Sequence, residues 1–311
     1  MVLAAVIAAT AFMNKKQLPL YNDITELGAA LFNEEMLSLD SSISCSSCHQ
    51  PDRAFADTVA FSLGVGGHLT KRNVPSVLNM KNRSYFFYDG RSPSLEHQAL
   101  SPITNPDEMA MTLDETIRRL NHNETYRLSF MNIFNEAANP QNLGKALAAF
   151  EQTLETVDSR FDDWSNNINK LSAAEERGRE IFVSDQAKCF DCHFMEDFTD
   201  DEFKNIGLFD GQLLNDSGRM SITKDPADLG KFKTPGLRNV AVTAPYMHNG
   251  MFKTLEEVVE YYNDPRKVVK NSINIDPSLK KPLGLTASQK KDLVAFLKSL
   301  TDRKYSHLLG K

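Results

Sequence analysis

The stretch that most constrains this chain is Cys45-Ser46-Ser47-Cys48-His49, which returns as Cys189-Phe190-Asp191-Cys192-His193. Both read C-x-x-C-H, the attachment signature of a c-type haem. Two thiols at this spacing can each add to one vinyl group of a single porphyrin, and the histidine that follows sits under the iron as its proximal ligand. The two motifs use all four cysteines of the sequence, so no thiol is left for a disulfide or a nucleophile. A zinc knuckle would need four converging ligands, and a dithiol redox motif needs no trailing histidine. Two complete copies lead us to expect two covalently held haems, and any fold must close around both.

The 311 residues suffice for two domains, each with its own core. The motifs lie about one domain length apart, so one haem per domain is the simplest plan. A net charge of −6 argues against a nucleic-acid binder. Residues 1–16 are set aside from the fold. Val2–Phe12 is apolar but too short to span a bilayer. It has the character of a secretory h-region, with Ala9-Thr10-Ala11 as a small-residue cleavage site. No Lys or Arg precedes it, while Lys15 and Lys16 follow. Either the true start lies upstream or the segment is a membrane-tethering remnant. Covalent c-type haem implies maturation outside the cytoplasm, which points to a periplasmic protein.

Helical spacing recurs along the rest of the chain, and no long strand alternation appears. Ile24, Leu27, Leu31 and Phe32 share one helical face. Thr112-x-x-Glu115, Ser172-x-x-Glu175, Thr254-x-x-Glu257 and Thr286-x-x-Gln289 read as capping boxes. Leu143, Leu147, Phe150 and Leu154 form another stripe, and Leu293, Phe296, Leu297 and Leu300 a last one. The polar stretch at Asp158-Ser159-Arg160 is the expected joint, dividing domains 17–160 and 161–311. Long Gly-, Pro- and Asn-rich loops at 62–76 and 199–253 are expected to wrap the haems. The only tryptophan, Trp164, is assigned to packing near the joint.

Several further motifs carry a family likeness. They are Arg72-Asn73-Val74-Pro75-Ser76, Phe87-Tyr88-Asp89-Gly90-Arg91, Asn105-Pro106-Asp107-Glu108-Met109, Thr234-Pro235-Gly236-Leu237-Arg238-Asn239 and Thr243-Ala244-Pro245-Tyr246-Met247-His248-Asn249-Gly250. From about Leu20 to Leu300 the chain resembles the bacterial di-haem cytochrome c peroxidase and MauG family. The resemblance implies a mainly α fold of two cytochrome-c-like domains whose haems face each other across the interface, the first peroxidatic and the second for electron transfer. It also implies one calcium ion, with Asn73, Thr243 and Pro245 at the matching positions; on their own these are ordinary turn residues.

Peroxide chemistry calls for an open iron face and a group that moves a proton between the two oxygens. By the same resemblance Glu108 is the distal acid–base, Gln98 orients the substrate, and Pro102 walls the pocket. A loop glutamate taken alone would be read as solvated. Tyr88 stands where the family often carries a tryptophan relay between the haems.

Two departures bear on function. Val65, in Ser62-Leu63-Gly64-Val65, occupies the position of a histidine that blocks the resting first haem in many relatives, so the first iron is expected to be open. His68 is a nearby substitute ligand, although a lone loop histidine is more often solvated. At the second haem the usual methionine is replaced by Tyr262, as in MauG, on the face of Leu255, Val258 and Val259. A core tyrosine is the plainer reading of that position. A phenolate ligand would lower that haem's potential, and Met247 and Met251 are alternative ligands.

The expected function is a peroxidase reducing hydrogen peroxide to water with electrons from a small cytochrome or cupredoxin. A MauG-like oxidase acting on a protein partner is the alternative within the enzymes. An electron-carrier cytochrome without substrate is the alternative outside them, and it would need neither Glu108 nor Gln98. A haem-based sensor ranks below these, because no output domain follows residue 300. The oligomeric state stays open, a homodimer included.

Overall fold

Among the described residues the regular elements are helical apart from one antiparallel pair of two-residue strands, in line with the missing period-two alternation. The computed structural model describes residues 20–194 and 196–310, so the expected signal or tether segment lies outside the described residues. In chain order the helices are α1 (Ile24–Phe32), α2 (Cys45–Cys48), α3 (Leu95–Thr104), α4 (Leu113–His122), α5 (Glu124–Phe134) and α6 (Pro140–Glu151). Then come α7 (Arg160–Ser165), α8 (Ala173–Phe182), α9 (Met220–Thr223), α10 (Leu255–Asn263) and α11 (Ala287–Ser299). The strands β1 (Phe203–Lys204) and β2 (Phe232–Lys233) pair with Phe203 opposite Lys233.

Three of the four expected capping boxes close fully, at Ser172, Thr254 and Thr286. At Thr112 only half of the box forms. Thr112 accepts from the Glu115 amide, but the Glu115 carboxylate turns to Arg118 and Arg119 at 2.6 and 3.0 Å. A cap of this kind contributes about 1 kcal/mol to its helix.

Two helix pairs are built on one plan. α1 crosses α6 at Gly28, where a Cβ would lie 2.0 Å from the Ala146 carbonyl oxygen; α8 crosses α11 at Gly178, where it would lie 2.0 Å from that of Asp292. One turn beyond each glycine a buried phenylalanine meets a phenylalanine of the facing helix. Phe32 and Phe150 have ring centres 5.2 Å apart, Phe182 and Phe296 5.1 Å. Small residues let the helices touch backbone to backbone, and the aromatic pair fills the space alongside.

Each pair anchors a core. Leu27, Leu31, Phe32, Leu143 and Leu147 belong to the first, with Ile103, Leu120 and Phe130. Phe182, Leu293, Phe296, Leu297 and Leu300 belong to the second, with Leu255 and Val259. Each fully buried Leu or Phe contributes about 2 kcal/mol. The apolar stripes in the sequence are therefore the core faces. The final turn, Arg303–Leu308, returns to the first core, where Tyr305 and Leu308 are buried. At the expected joint, Ser159 bridges Asp302 and the Arg303 amide donates to the Asp158 carbonyl at 2.9 Å. Trp164 packs there, with Phe161 against it and the Arg179 guanidinium 4.7 Å over its ring.

The duplication extends into the loops. Phe86 bridges Ser92 and Tyr246 bridges Phe252. Inside these turns Phe87 and Met247 both take positive φ, at 65° and 72°, as do Gly90 and Gly250, at 65° and 62°. A side-chain cap follows each turn, Ser94 on α3 and Thr254 on α10. The spacing between matched positions is constant from Phe86/Tyr246 onward.

Candidate active site

Each C-x-x-C-H motif lies on the wall of a cavity. The first cavity measures about 780 Å³ and is lined by Cys45, Cys48 and His49. The second measures about 210 Å³ and is lined by Cys189, Cys192 and His193. None of the four thiols is in a disulfide. Burial pushes Cys45 and Cys189 up to about 12, and Cys48 and Cys192 up to about 11. Burial thus favours the protonated thiol, the form whose S–H adds across a vinyl group. Among the described residues no group of three or more His, Cys, Asp or Glu could hold another metal.

The two histidines are set in the same way. His49 Nδ1 lies 3.2 Å from the Phe55 carbonyl oxygen, and His193 Nδ1 lies 2.8 Å from that of Phe198. Donation through Nδ1 leaves Nε2 with the lone pair that an iron requires. Burial holds both rings below the usual histidine range, hence neutral. Paired thiols, a neutral oriented imidazole and a cavity beside them fit a covalently attached haem at both places.

Gln98 and Pro102 of α3 line the first cavity with Glu108. Pro102 sits inside the helix and donates no N–H, so the Gln98 carbonyl lacks its usual partner there. Asn105 ends the helix, and its amide donates to Glu108 Oε1 at 2.6 Å, while the Glu108 N–H returns to the Asn105 carbonyl at 3.0 Å. Burial raises the Glu108 pKa, against the opposing pull of Asn105 and Arg91. That brings the carboxyl nearer to proton exchange at neutral pH. Sequence reading thus named three residues that the fold gathers on one wall.

Val65 is buried, and its N–H donates to the Glu108 carbonyl at 2.8 Å; the valine braces the turn that carries Glu108 and does not line the cavity. His68 is exposed and also absent from the lining, so the substitute-ligand idea has no support in the fold. Among the described residues His49 is the only histidine on this wall.

Tyr88 lines both cavities. Its carbonyl accepts from the Lys233 N–H at 2.7 Å, and burial raises its phenol pKa. In the second cavity Tyr262 shares the wall with His193, and burial raises its phenol as well. Met247 lines both cavities, whereas Met251 lines neither. Asn73, Thr243 and Pro245 each line the first cavity. The Asn73 amide donates to the carbonyls of Val59 and Ala60 at 3.1 and 3.3 Å.

Glu151 and His248 are among the lining residues to which the sequence reading gave no role. Glu151 lines the first cavity and His248 the second. His248 stacks on Phe232 at 3.8 Å and holds the position in its turn that Tyr88 holds in the other. Glu151 had a usable signal: it continues the i, i+4 series Leu143, Leu147 on the buried face of α6.

Comparison with known proteins agrees with this geometry. A family model described as di-haem cytochrome c peroxidase matches residues 22–170. Methylamine utilization protein MauG of Methylorubrum extorquens is 36% identical over 288 residues, covering 91% of this chain and 79% of that protein. Cytochrome c peroxidase Ccp of Escherichia coli is 37% identical over 252 residues, 79% of this chain and 54% of that longer protein. Among solved structures, a MauG-like protein associated with microbial copper homeostasis superposes with a TM-score of 0.84 at 33% identity, over 92% of this chain and 93% of that one.

Proposed function

The chain belongs to the di-haem cytochrome c peroxidase family, and on that premise we propose that it reduces hydrogen peroxide to water in the first cavity. Electrons enter at the second cavity from a small redox protein, a cytochrome c or a cupredoxin. The observation that carries this reading is that Glu108, Gln98 and Pro102 line the same cavity as His49.

Bound haem iron supplies the redox centre and, in the first cavity, the coordination position where peroxide is held. The chain's own residues do the rest. Glu108 takes the proton from the near oxygen of peroxide and delivers it to the far oxygen as the bond between them breaks. Gln98 orients the substrate with its amide, and Pro102 closes the wall with a side chain that cannot ligate. Each turnover consumes two electrons and two protons and yields two waters. Tyr88, with a place on both walls, is the relay; its oxidation releases the phenolic proton, so transfer through it is coupled to that proton.

The calcium ion belongs to this proposal through Asn73, Thr243 and Pro245, where it would tie the loops around the first cavity. Among the described residues no helix is long and apolar enough to cross a membrane; a periplasmic location, tethered or free, is part of the reading, and the oligomeric state stays open. A second reading, oxidation of a protein partner, is favoured by Tyr262 on the wall of the second cavity. Peroxide consumption should be measured with a reduced small cytochrome as donor, with and without prior reduction of the enzyme. Turnover without prior reduction is expected. No turnover under either condition, with both haems loaded, removes the peroxidase reading.

A further inference from the structure

Glu151, the last residue of α6, is a first-cavity residue that neither haem attachment nor proton transfer by Glu108 uses. It is 5% exposed and lines the cavity, and its Oε2 has no hydrogen-bond partner among the described residues. A buried polar group left bare costs about 1–3 kcal/mol, so the side chain works against stability. Burial alone lifts its carboxyl to about 8.

The surrounding elements give it no counter-charge. α1 packs on α6 through Leu27, Gly28 and Leu31, and α3 packs there through Leu95 and Ala99. Other titratable and charged groups line the same cavity, Glu108, Cys48, His49 and the ion-paired Asp89, Asp107, Asp197 and Asp216 among them. Cys45 on α2 feels both Glu151 and Glu108, and becomes a thioether once haem is attached. Arg83 is bound to Asp197 at 2.9 Å, and Arg91 to Asp89 at 3.1 Å. At the exposed rim Lys71 pairs with Asp107 at 3.0 Å. Deeper in the lining Arg72 pairs with Asp89 and Asp216, Lys233 with Asp201, and Arg238 with Asp162 and Asp197, so each of these cations is committed elsewhere.

An electron that enters such a cavity makes it more negative in a medium of low dielectric, and a proton bound on the wall cancels that charge. We propose that Glu151 is the redox-linked proton site of the first cavity, its carboxylate binding a proton when the haem there gains an electron and releasing it when that electron leaves. The O–H bond forms at the unpartnered Oε2 with a proton drawn from water at the cavity mouth. It breaks again as peroxide is reduced, and the proton joins those consumed in forming water. Electron supply and removal rest on the peroxidase reading above; the test below uses neither.

The midpoint potential of the first haem is to be titrated spectroelectrochemically in the haem-loaded chain from about pH 6 to about pH 10, on either side of the value to which burial brings Glu151. Reduction should become less favourable as pH rises, by up to about tenfold per pH unit, which for one electron is about 59 mV. Glu151→Gln should flatten this dependence, while Glu151→Asp and Glu108→Gln should retain it. An unchanged slope in Glu151→Gln, or no slope in the unmodified chain, overturns the proposal. Should Glu151→Gln fail to load haem, the redox-difference infrared spectrum of the unmodified chain decides. A protonated-carboxyl stretch must grow on reduction, shift in heavy water and persist in Glu108→Gln; its absence is equally fatal. Loss of peroxide turnover, by contrast, would sink the peroxidase reading and leave this slope untouched.

Discussion

Pro102 and Tyr262 occupy the same point of a repeated unit. Each is the eighth residue of a helix that begins with a buried leucine behind a side-chain cap, Ser94 in one case and Thr254 in the other. Each lines the cavity of its own C-x-x-C-H motif. A phenol stands at this point in the second half, and in the first a ring with no donor atom. One unit thus presents a phenol oxygen where the other presents no donor atom, and the proposal of two haems with unequal coordination rests on that difference.

Placing the phenol in both halves tests this relationship. Pro102→Tyr should convert the ferric spectrum of the first haem from high-spin to low-spin and suppress peroxide turnover, with haem content unchanged. A high-spin signal that persists in the variant removes the equivalence.

Glu108→Gln should lower turnover by about 10²–10⁴-fold with haem content intact. The acid–base role needs the ionised carboxylate, so turnover falls as pH drops through the Glu108 pKa. Burial raises that pKa, and the acid limb should therefore lie above the ordinary glutamate value of about 4.3. A pH profile of turnover reads it, and loss of the limb in the variant assigns it.

Tyr262→Met should raise the potential of the second haem, since a thioether favours reduced iron where a phenolate favours oxidised iron. The oxidised unmodified protein should show no near-infrared methionine–iron band. Such a band would transfer the ligand role to Met247, which shares the wall.

Gly28→Ala and Gly178→Ala should each destabilise the chain by about 2 kcal/mol or more, read as a lower denaturant midpoint. In both cases the new methyl would meet a main-chain oxygen at 2.0 Å, and backbone cannot swing aside.

Arg72 ties two distant loops, donating to Asp216 at 2.7 and 2.9 Å and to Asp89 at 2.6 Å. Burial alone would raise the Asp216 pKa, but these bonds hold it below the usual carboxylate range. A depressed folded pKa stabilises the fold above the unfolded value of about 3.9, and the gain is lost as pH falls through the folded value. Arg72→Gln should cost about 3 kcal/mol at neutral pH and flatten the acid limb of unfolding.

Much of this was legible in the residues. The two attachment motifs, the apolar stripes and three of the four boxes read directly, because spacing alone carries them. The matching of the two loop-and-helix units did not, because matched positions hold chemically different residues: Tyr88 with His248, Gln98 with Val258, Pro102 with Tyr262. For the two helix pairs the surviving signal was geometric, a glycine one turn ahead of a phenylalanine at Gly28/Phe32 and again at Gly178/Phe182. Glu151 was passed over because a glutamate ending an apolar stripe looks like the solvated edge of a helix. The thread of the last turn back to the first core was invisible for a different reason. Tyr305 and Leu308 belong to no periodic pattern, and only tertiary packing assigns them.

That last turn ties the end of the chain to its beginning. Tyr305 and Leu308, far in sequence from Cys45 and Cys48, fill the hydrophobic interior of the half that holds those two cysteines. Cutting the final turn away should therefore impair loading at Cys45 and Cys48 before it touches Cys189 and Cys192, the nearer pair in sequence.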